Sequence, residues 1–229
     1  MMPRTAILLG ALLLLYAPAT GGELPFEIIS RRAGLQLFPA DNALRCVDTI
    51  TVRRLPTAEK ISLRLPSVFE VEGVSVGGRP RSVQRPIDAI EVDHLPSDSL
   101  VDLVITYSGR LSFRSEFTQM TPERAVLREE EIFPSGPHAY AFTRLSITVP
   151  AGWEAVAVGK LLHTVRSADS SLFVWENNQA IPQIGWICAG VFTRGSLGPQ
   201  VATYLFAEDS ASGSALRSLS ASVLAYYGE

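Results

Sequence analysis

Apolar residues return at every second position through most of this chain, and no other feature restricts its fold as much. In the stretch 142–150, Leu145, Ile147 and Val149 point one way while Arg144, Ser146 and Thr148 point the other. Only an extended strand places alternate residues on opposite faces, so this segment is a strand with one buried side. Val101, Leu103, Ile105 and Tyr107 repeat the pattern, as do Ile61, Leu63 and Leu65, and Val201, Thr203 and Leu205. DTITVRR, VFEVEGVSV, AIEVD, WEAVAVGKLL and SLFVWEN add shorter runs. Turn-forming residues separate them at Gly77–Gly78, Pro80, Ser108–Gly109, Pro134–Pro137, Pro150–Gly152 and Asn177–Asn178. Many short strands with hairpin-length breaks predict an all-β chain, a saddle-like β-sandwich of mostly antiparallel strands.

The period changes near the end. Leu216, Leu219, Val223, Leu224 and Tyr227 fall on one face of a helix over 212–229, with Ser212 or Ser214 placed to cap it and Gly228 suited to its far end. Such an apolar row packs against something, so it is the candidate partner-docking face. The one other helical pattern is the charged stretch 122–131.

The first nineteen residues stand apart from the fold. Arg4, the apolar run Ala6–Tyr16 and the small residues Ala17-Pro18-Ala19 have the layout of an export signal cut between Ala19 and Thr20. The expected organisation is a signal helix over 1–19, a β domain over 20–211 and a helix over 212–229. A signal retained as an anchor is the other reading of the first segment. Removing 19 of the 229 residues leaves 210, and with Arg4 gone 19 basic residues face 23 acidic ones, a formal charge of −4. That interspersed balance offers no footprint for nucleic acid or anionic lipid. The expected location is periplasmic or extracellular. Cys46 and Cys188 are the only cysteines, and an oxidising compartment could join them. Cys188, however, shares an alternating face with Ile184, Trp186 and Phe192, which reads as a buried apolar thiol.

Motifs for chemistry do not assemble. Gly73–Gly77 matches G-x-S-x-G, but Gly78-Arg79-Pro80 follows where a nucleophile elbow needs a helix, so Ser75 reads as a strand residue beside a turn. Glu129-Glu130-Glu131 and His138 lack the H-E-x-x-H arrangement that fixes zinc, and read as a solvated charged loop. His94 and His163 are scattered. Trp153, Trp175 and Trp186 each lie in an alternating strand where packing accounts for them.

The order of segments carries a resemblance. ALRCVDTITVRRL, ISLRLPSVFEVEGVSVGG and LVDLVITYSGRL look like the opening of the aminopeptidase N family of zinc metallopeptidases, and FTRLSITVPAGWEAVAVGKLL resembles its paired strands ending at Val-Pro and at Gly. AVLREEEIFPSGP is similar to the preceding loop, and FVWENNQAIPQIGWICAGVF to the strands that close the saddle. ALRSLSASVLAYYGE looks like the helix leading to the zinc-binding domain. The resemblance covers Leu35–Glu229 and implies the family's N-terminal β saddle, with Gly-x-Met-x-Asn and H-E-x-x-H lying downstream and absent here. It also implies an acidic or amide side chain after Thr118-Gln119 that grips a substrate amine, yet the matching position is Thr121, with Glu123 and Glu129 nearby.

Three expectations follow. The chain is a non-catalytic, scaffolding or substrate-positioning N-terminal domain, truncated or not, with no cofactor of its own and zinc expected only in an absent catalytic domain. Alternatively it is part of a working aminopeptidase whose catalytic domain is encoded downstream or supplied separately. The third is a stand-alone exported module that binds another exported protein.

Overall fold

The computed structural model describes residues 26–227, except 56, 94, 97, 112–117, 137–140, 182–184 and 199–200. The signal segment with Ala19 and Thr20, His94, His138, Ile184 and Gly228 therefore lie outside the described residues, as does the side chain of Tyr227.

In chain order the elements begin with β1 (Phe26–Phe38), β2 (Ala43–Arg54), β3 (Ile61–Arg64), β4 (Phe69–Val76), β5 (Arg79–Arg81) and β6 (Ala89–Val92). There follow β7 (Leu100–Arg110), β8 (Gln119–Met120), β9 (Arg124–Arg128) and the single helical turn α1 (Glu129–Ile132). The second half holds β10 (Ala141–Pro150), β11 (Glu154–Val156), β12 (Lys160–Arg166), β13 (Ser170–Ile181) and β14 (Trp186–Gly190). It closes with β15 (Thr193–Leu197), β16 (Val201–Leu205) and α2 (Gly213–Tyr227).

Eight strands form one sheet in the order β12, β13, β10, β1, β2, β7, β4, β5, and β11, β14, β9, β8 form a second of four. β3 pairs with β6 and β15 with β16 as separate ribbons. The pairings are antiparallel except that β1 and β10 run parallel, Arg32 opposite Arg144. The chain is thus an all-β fold with one C-terminal helix.

The alternation seen in the sequence becomes the core. Ile61, Leu63 and Leu65 are 0% exposed and pack with Ile50, Leu103, Ile105, Leu127 and Ile147 in one apolar cluster. Burying each such side chain contributes about 1.5–3 kcal/mol. Turn chemistry sets the joins. Asn42 takes a left-handed conformation (φ 51°) between β1 and β2, and its side-chain amide donates to the Leu111 carbonyl at 2.6 Å. Gly159, at φ 103°, lies where a Cβ would come within 2.4 Å of the Glu176 carbonyl, so only glycine lets the chain enter β12.

Ser75 sits in β4, with Gly77 and Gly78 turning into β5, so the G-x-S-x-G match is a strand and its hairpin. Two readings are corrected. The charged stretch 122–131 is not a helix; it is mostly β9, with α1 only beginning at Glu129, because Ala125 and Leu127 alternate into the core. Cys188 is not on the inward face: its neighbours Ile187 and Ala189 are buried, while Trp186 is 44% exposed. The phase of the alternation is decided by pairing with β9, where Ile187 meets Leu127.

Candidate docking site

α2 is built from good helix formers, Ala215, Leu216, Arg217, Leu219, Ala221, Leu224 and Ala225. It follows a 3₁₀ run, 207–212, that leads directly into Gly213. Residues four apart, Gly213, Arg217 and Ala221, turn toward the β15–β16 ribbon and are buried or half-buried. Gly195 leaves room for the Arg217 guanidinium, which donates to Thr203 Oγ1 at 3.1 Å.

The apolar row faces elsewhere. Leu216, Leu219, Val223 and Leu224 are 43%, 62%, 45% and 46% exposed, so each keeps a large share of its apolar surface open. Tyr226 is also exposed.

The ribbon carrying α2 is itself latched to the four-stranded sheet. Arg124 pairs with Glu208 and stacks over Phe206, whose ring meets Phe192 at 4.9 Å. Arg194 lies over Tyr204 and pairs with Glu154 at 2.6 Å. Guanidinium groups stacked on rings and tied to carboxylates orient the ribbon, and with it the apolar row.

The Thr118–Thr121 segment forms β8 and the turn after it. Thr118 is fully buried and its Oγ1 accepts the Arg128 amide at 2.9 Å. Thr121 spends its hydroxyl on the turn, accepting from the Glu123 and Arg124 amides at 3.3 Å. Of the two nearby carboxylates, Glu123 is exposed at the turn and borders a cavity of about 610 Å³ with Trp153, Phe206 and Glu208.

Glu129 is not part of a solvated loop, which corrects the sequence reading. It is 9% exposed, and its Oε1 accepts from Arg31 at 3.1 Å. Arg31, 3% exposed, also pairs with Asp48 through Nε at 3.1 Å, donates to the Pro134 carbonyl, and lies over the Phe133 ring. The Tyr107 hydroxyl donates to the Ile132 carbonyl at 2.7 Å. These bonds rivet α1 and the segment after it to the large sheet. The Asp48 contact is an ion pair, and among the described residues neither carboxylate oxygen of Asp48 completes a hydrogen bond. Burial therefore pushes its carboxyl up to about 6, although Arg31 pulls the other way. The sequence signal for this cluster was faint: Arg31 and Asp48 sit at inward positions of their strands, where a charge needs a partner.

Cys46 and Cys188 are free thiols in different sheets, Cys46 buried and Cys188 half-buried, and burial raises both above the usual thiol range. Trp153 and Trp175 pack inside, Trp175 donating to the Ala155 carbonyl at 3.0 Å. His163 is exposed on β12. Among the described residues no three His, Cys, Asp or Glu side chains converge as metal ligands, and no helix is long and apolar enough to cross a membrane.

No protein-family model and no curated protein matches the sequence. Solved structures do match. An M1 zinc metallopeptidase from Deinococcus radiodurans superposes with a TM-score of 0.66 at 16% identity, over 80% of this chain and 47% of that one. A mutant of it bound to a Tyr-Ser-Ala substrate gives 0.66 at 15%, over 79% and 46%. Yeast LTA4 hydrolase in complex with bestatin gives 0.61 at 13%, over 81% and 32%. The architecture is that of the N-terminal region of M1 zinc metallopeptidases, the aminopeptidase N family. The chain spans under half the length of the Deinococcus protein and about a third of the yeast one. The zinc for which that family is named finds no ligand set among the residues described here.

Proposed function

We propose that this chain is the non-catalytic N-terminal β domain of an exported aminopeptidase N-like metallopeptidase, which walls and positions substrate for a zinc-bearing catalytic domain. The observation that carries this reading is the fold shared over 79% of this chain with only 46% of a zinc metallopeptidase. The exposed row Leu216, Leu219, Val223 and Leu224, oriented by the Arg–aromatic latch, is the face we assign to that catalytic domain. Export to a periplasmic or extracellular location, with cleavage after Ala19, is supported by the layout of residues 1–19. On this reading the chain by itself holds no zinc tightly and needs no other cofactor.

The test is direct. The purified chain is assayed for bound zinc by elemental mass spectrometry and for hydrolysis of amino-acid anilides with and without added zinc. Neither should exceed a buffer control, and zinc-dependent turnover would end the proposal.

A second reading, favoured by the short share of the matched chains, places this domain in a working aminopeptidase whose catalytic half is encoded further on. An in-frame H-E-x-x-H beyond the codon for Glu229 supports it, and a stop with none nearby removes it. A third reading, a stand-alone exported module, predicts that the α2 row drives self-association in size-exclusion runs.

A further inference from the structure

The large sheet carries a cavity that none of the readings above uses and that Arg31 also borders. It measures about 450 Å³ and is bordered by Ser30, Arg32, Phe142, Arg144, Glu176 and Asn178 on β1, β10 and β13. That volume suits one or two amino-acid residues of a ligand. Two strands are irregular beside it: β1 holds an extra residue between Ile28 and Ser30 against β2, and β13 holds two extra residues between Asn177 and Ile181 against β10. Bulges of this kind bend a strand and re-aim its side chains.

The charges across it are arranged in a row. Arg32 stands opposite Arg144, Arg144 opposite Glu176, and Glu176 opposite Lys160 on the edge strand β12. Three cations thus share one carboxylate, in a chain whose formal net charge is −3. Arg144 reaches Glu176 only at 3.8 Å, with both side chains exposed. Arg32 and Lys160 have no hydrogen-bond or ion-pair partner among the described residues. Like charges directly opposite one another in a sheet are destabilising, and a bound anion between the two guanidinium groups relieves that repulsion. Phe142, 52% exposed and one pleat from Arg32, offers an apolar platform at the same place. Ser30 and Asn178 add neutral hydrogen-bonding groups at the rim.

We propose that this cavity binds a peptide segment that presents a carboxylate beside an apolar side chain, the carboxylate forked by Arg32 and Arg144 and the apolar group resting on Phe142. Guanidinium groups suit a planar carboxylate because two parallel N–H bonds reach its two oxygens. The carboxylate comes from an acidic residue or from a peptide C-terminus; both present the same group. This site does not depend on the role assigned to α2.

The experiment follows the fluorescence anisotropy of a dye-labelled peptide, Gly-Ser-Gly-Asp-Phe with a free C-terminus, titrated with the purified chain. Saturable binding that weakens as salt rises is expected. Arg32→Gln and Arg144→Gln should each weaken it about tenfold or more, as for loss of a charged hydrogen bond. Phe142→Ser should weaken it by about fivefold. Arg45→Gln, which removes a surface pair with Glu72 elsewhere on the sheet, should change it by less than about twofold. A C-amidated peptide and one with Asn for Asp identify which carboxylate is read; loss with either supports the site. No saturable binding, binding indifferent to both peptide changes, or binding that survives both arginine substitutions overturns the proposal. Unchanged thermal midpoints of the variants show that the fold is intact.

Discussion

Ile61 and Leu63 on β3 with Leu65 just after it, and Leu216, Leu219 and Leu224 on α2, are residues of one kind in opposite circumstances. The first group is 0% exposed, whereas the second is 43%, 62% and 46% exposed. Both follow a clean period, of two on the strand and near four on the helix. Periodicity announces that a face is apolar, but burial requires a second surface to supply the contacts. The strand has that surface in the common apolar cluster. The helix meets the β15–β16 ribbon with Gly213, Arg217 and Ala221, and its leucines point away from it.

That contrast can be broken at several points. The largest effect is expected for Arg31→Met, which leaves Asp48 and Glu129 buried with no cation between them; urea unfolding should show a loss of about 3–5 kcal/mol. Retention of wild-type stability would mean that the carboxylates are neutral or wet. Leu63→Ala should cost about 2–5 kcal/mol in the same measurement, the range for a leucine cavity in a packed core.

Asp48→Asn sharpens the picture through pH. The folded-state value of Asp48 is raised from 3.8 to about 6. A carboxyl raised on folding contributes stability fully below its unfolded value, and the contribution is lost as pH rises through the folded one. Relative to wild type, Asp48→Asn should therefore gain stability between pH 4 and pH 7. A constant difference between the two proteins across that window contradicts the assignment. Smallest of all is Leu219→Ser, expected within about 0.5 kcal/mol of wild type because the side chain already meets solvent. A loss as large as that of Leu63→Ala would reveal a surface covering α2.

Much of the fold was legible because alternation is a local property. The strands around Leu145, Leu103 and Leu63, the glycine turn after Val76 and the helix ending the chain need only neighbours in sequence. Less of the site was legible. Glu129 lay in an acidic run that looked solvated, yet it is buried because Arg31, 98 residues away, lies across from it. Cys188 and Trp186 alternate correctly but in the opposite phase, since a shift of one residue against β9 exchanges the two faces. Arg31 and Arg32 are adjacent in sequence and both border the open cavity, yet the pleat buries the first in the core cluster and leaves the second exposed.

The sequence by itself determined that the chain is built of strands with one apolar side, that its turns fall at glycine, proline and asparagine, and that its last segment is a helix with a leucine row. These follow from steric and hydrophobic preferences acting within a few residues. Tertiary structure alone decided which charges were buried together, which phase of each strand faced inward, and that the leucine row of α2 stayed exposed among the described residues. Those outcomes depend on contacts between residues far apart in the chain, whose energies exist only once the sheets have been assembled.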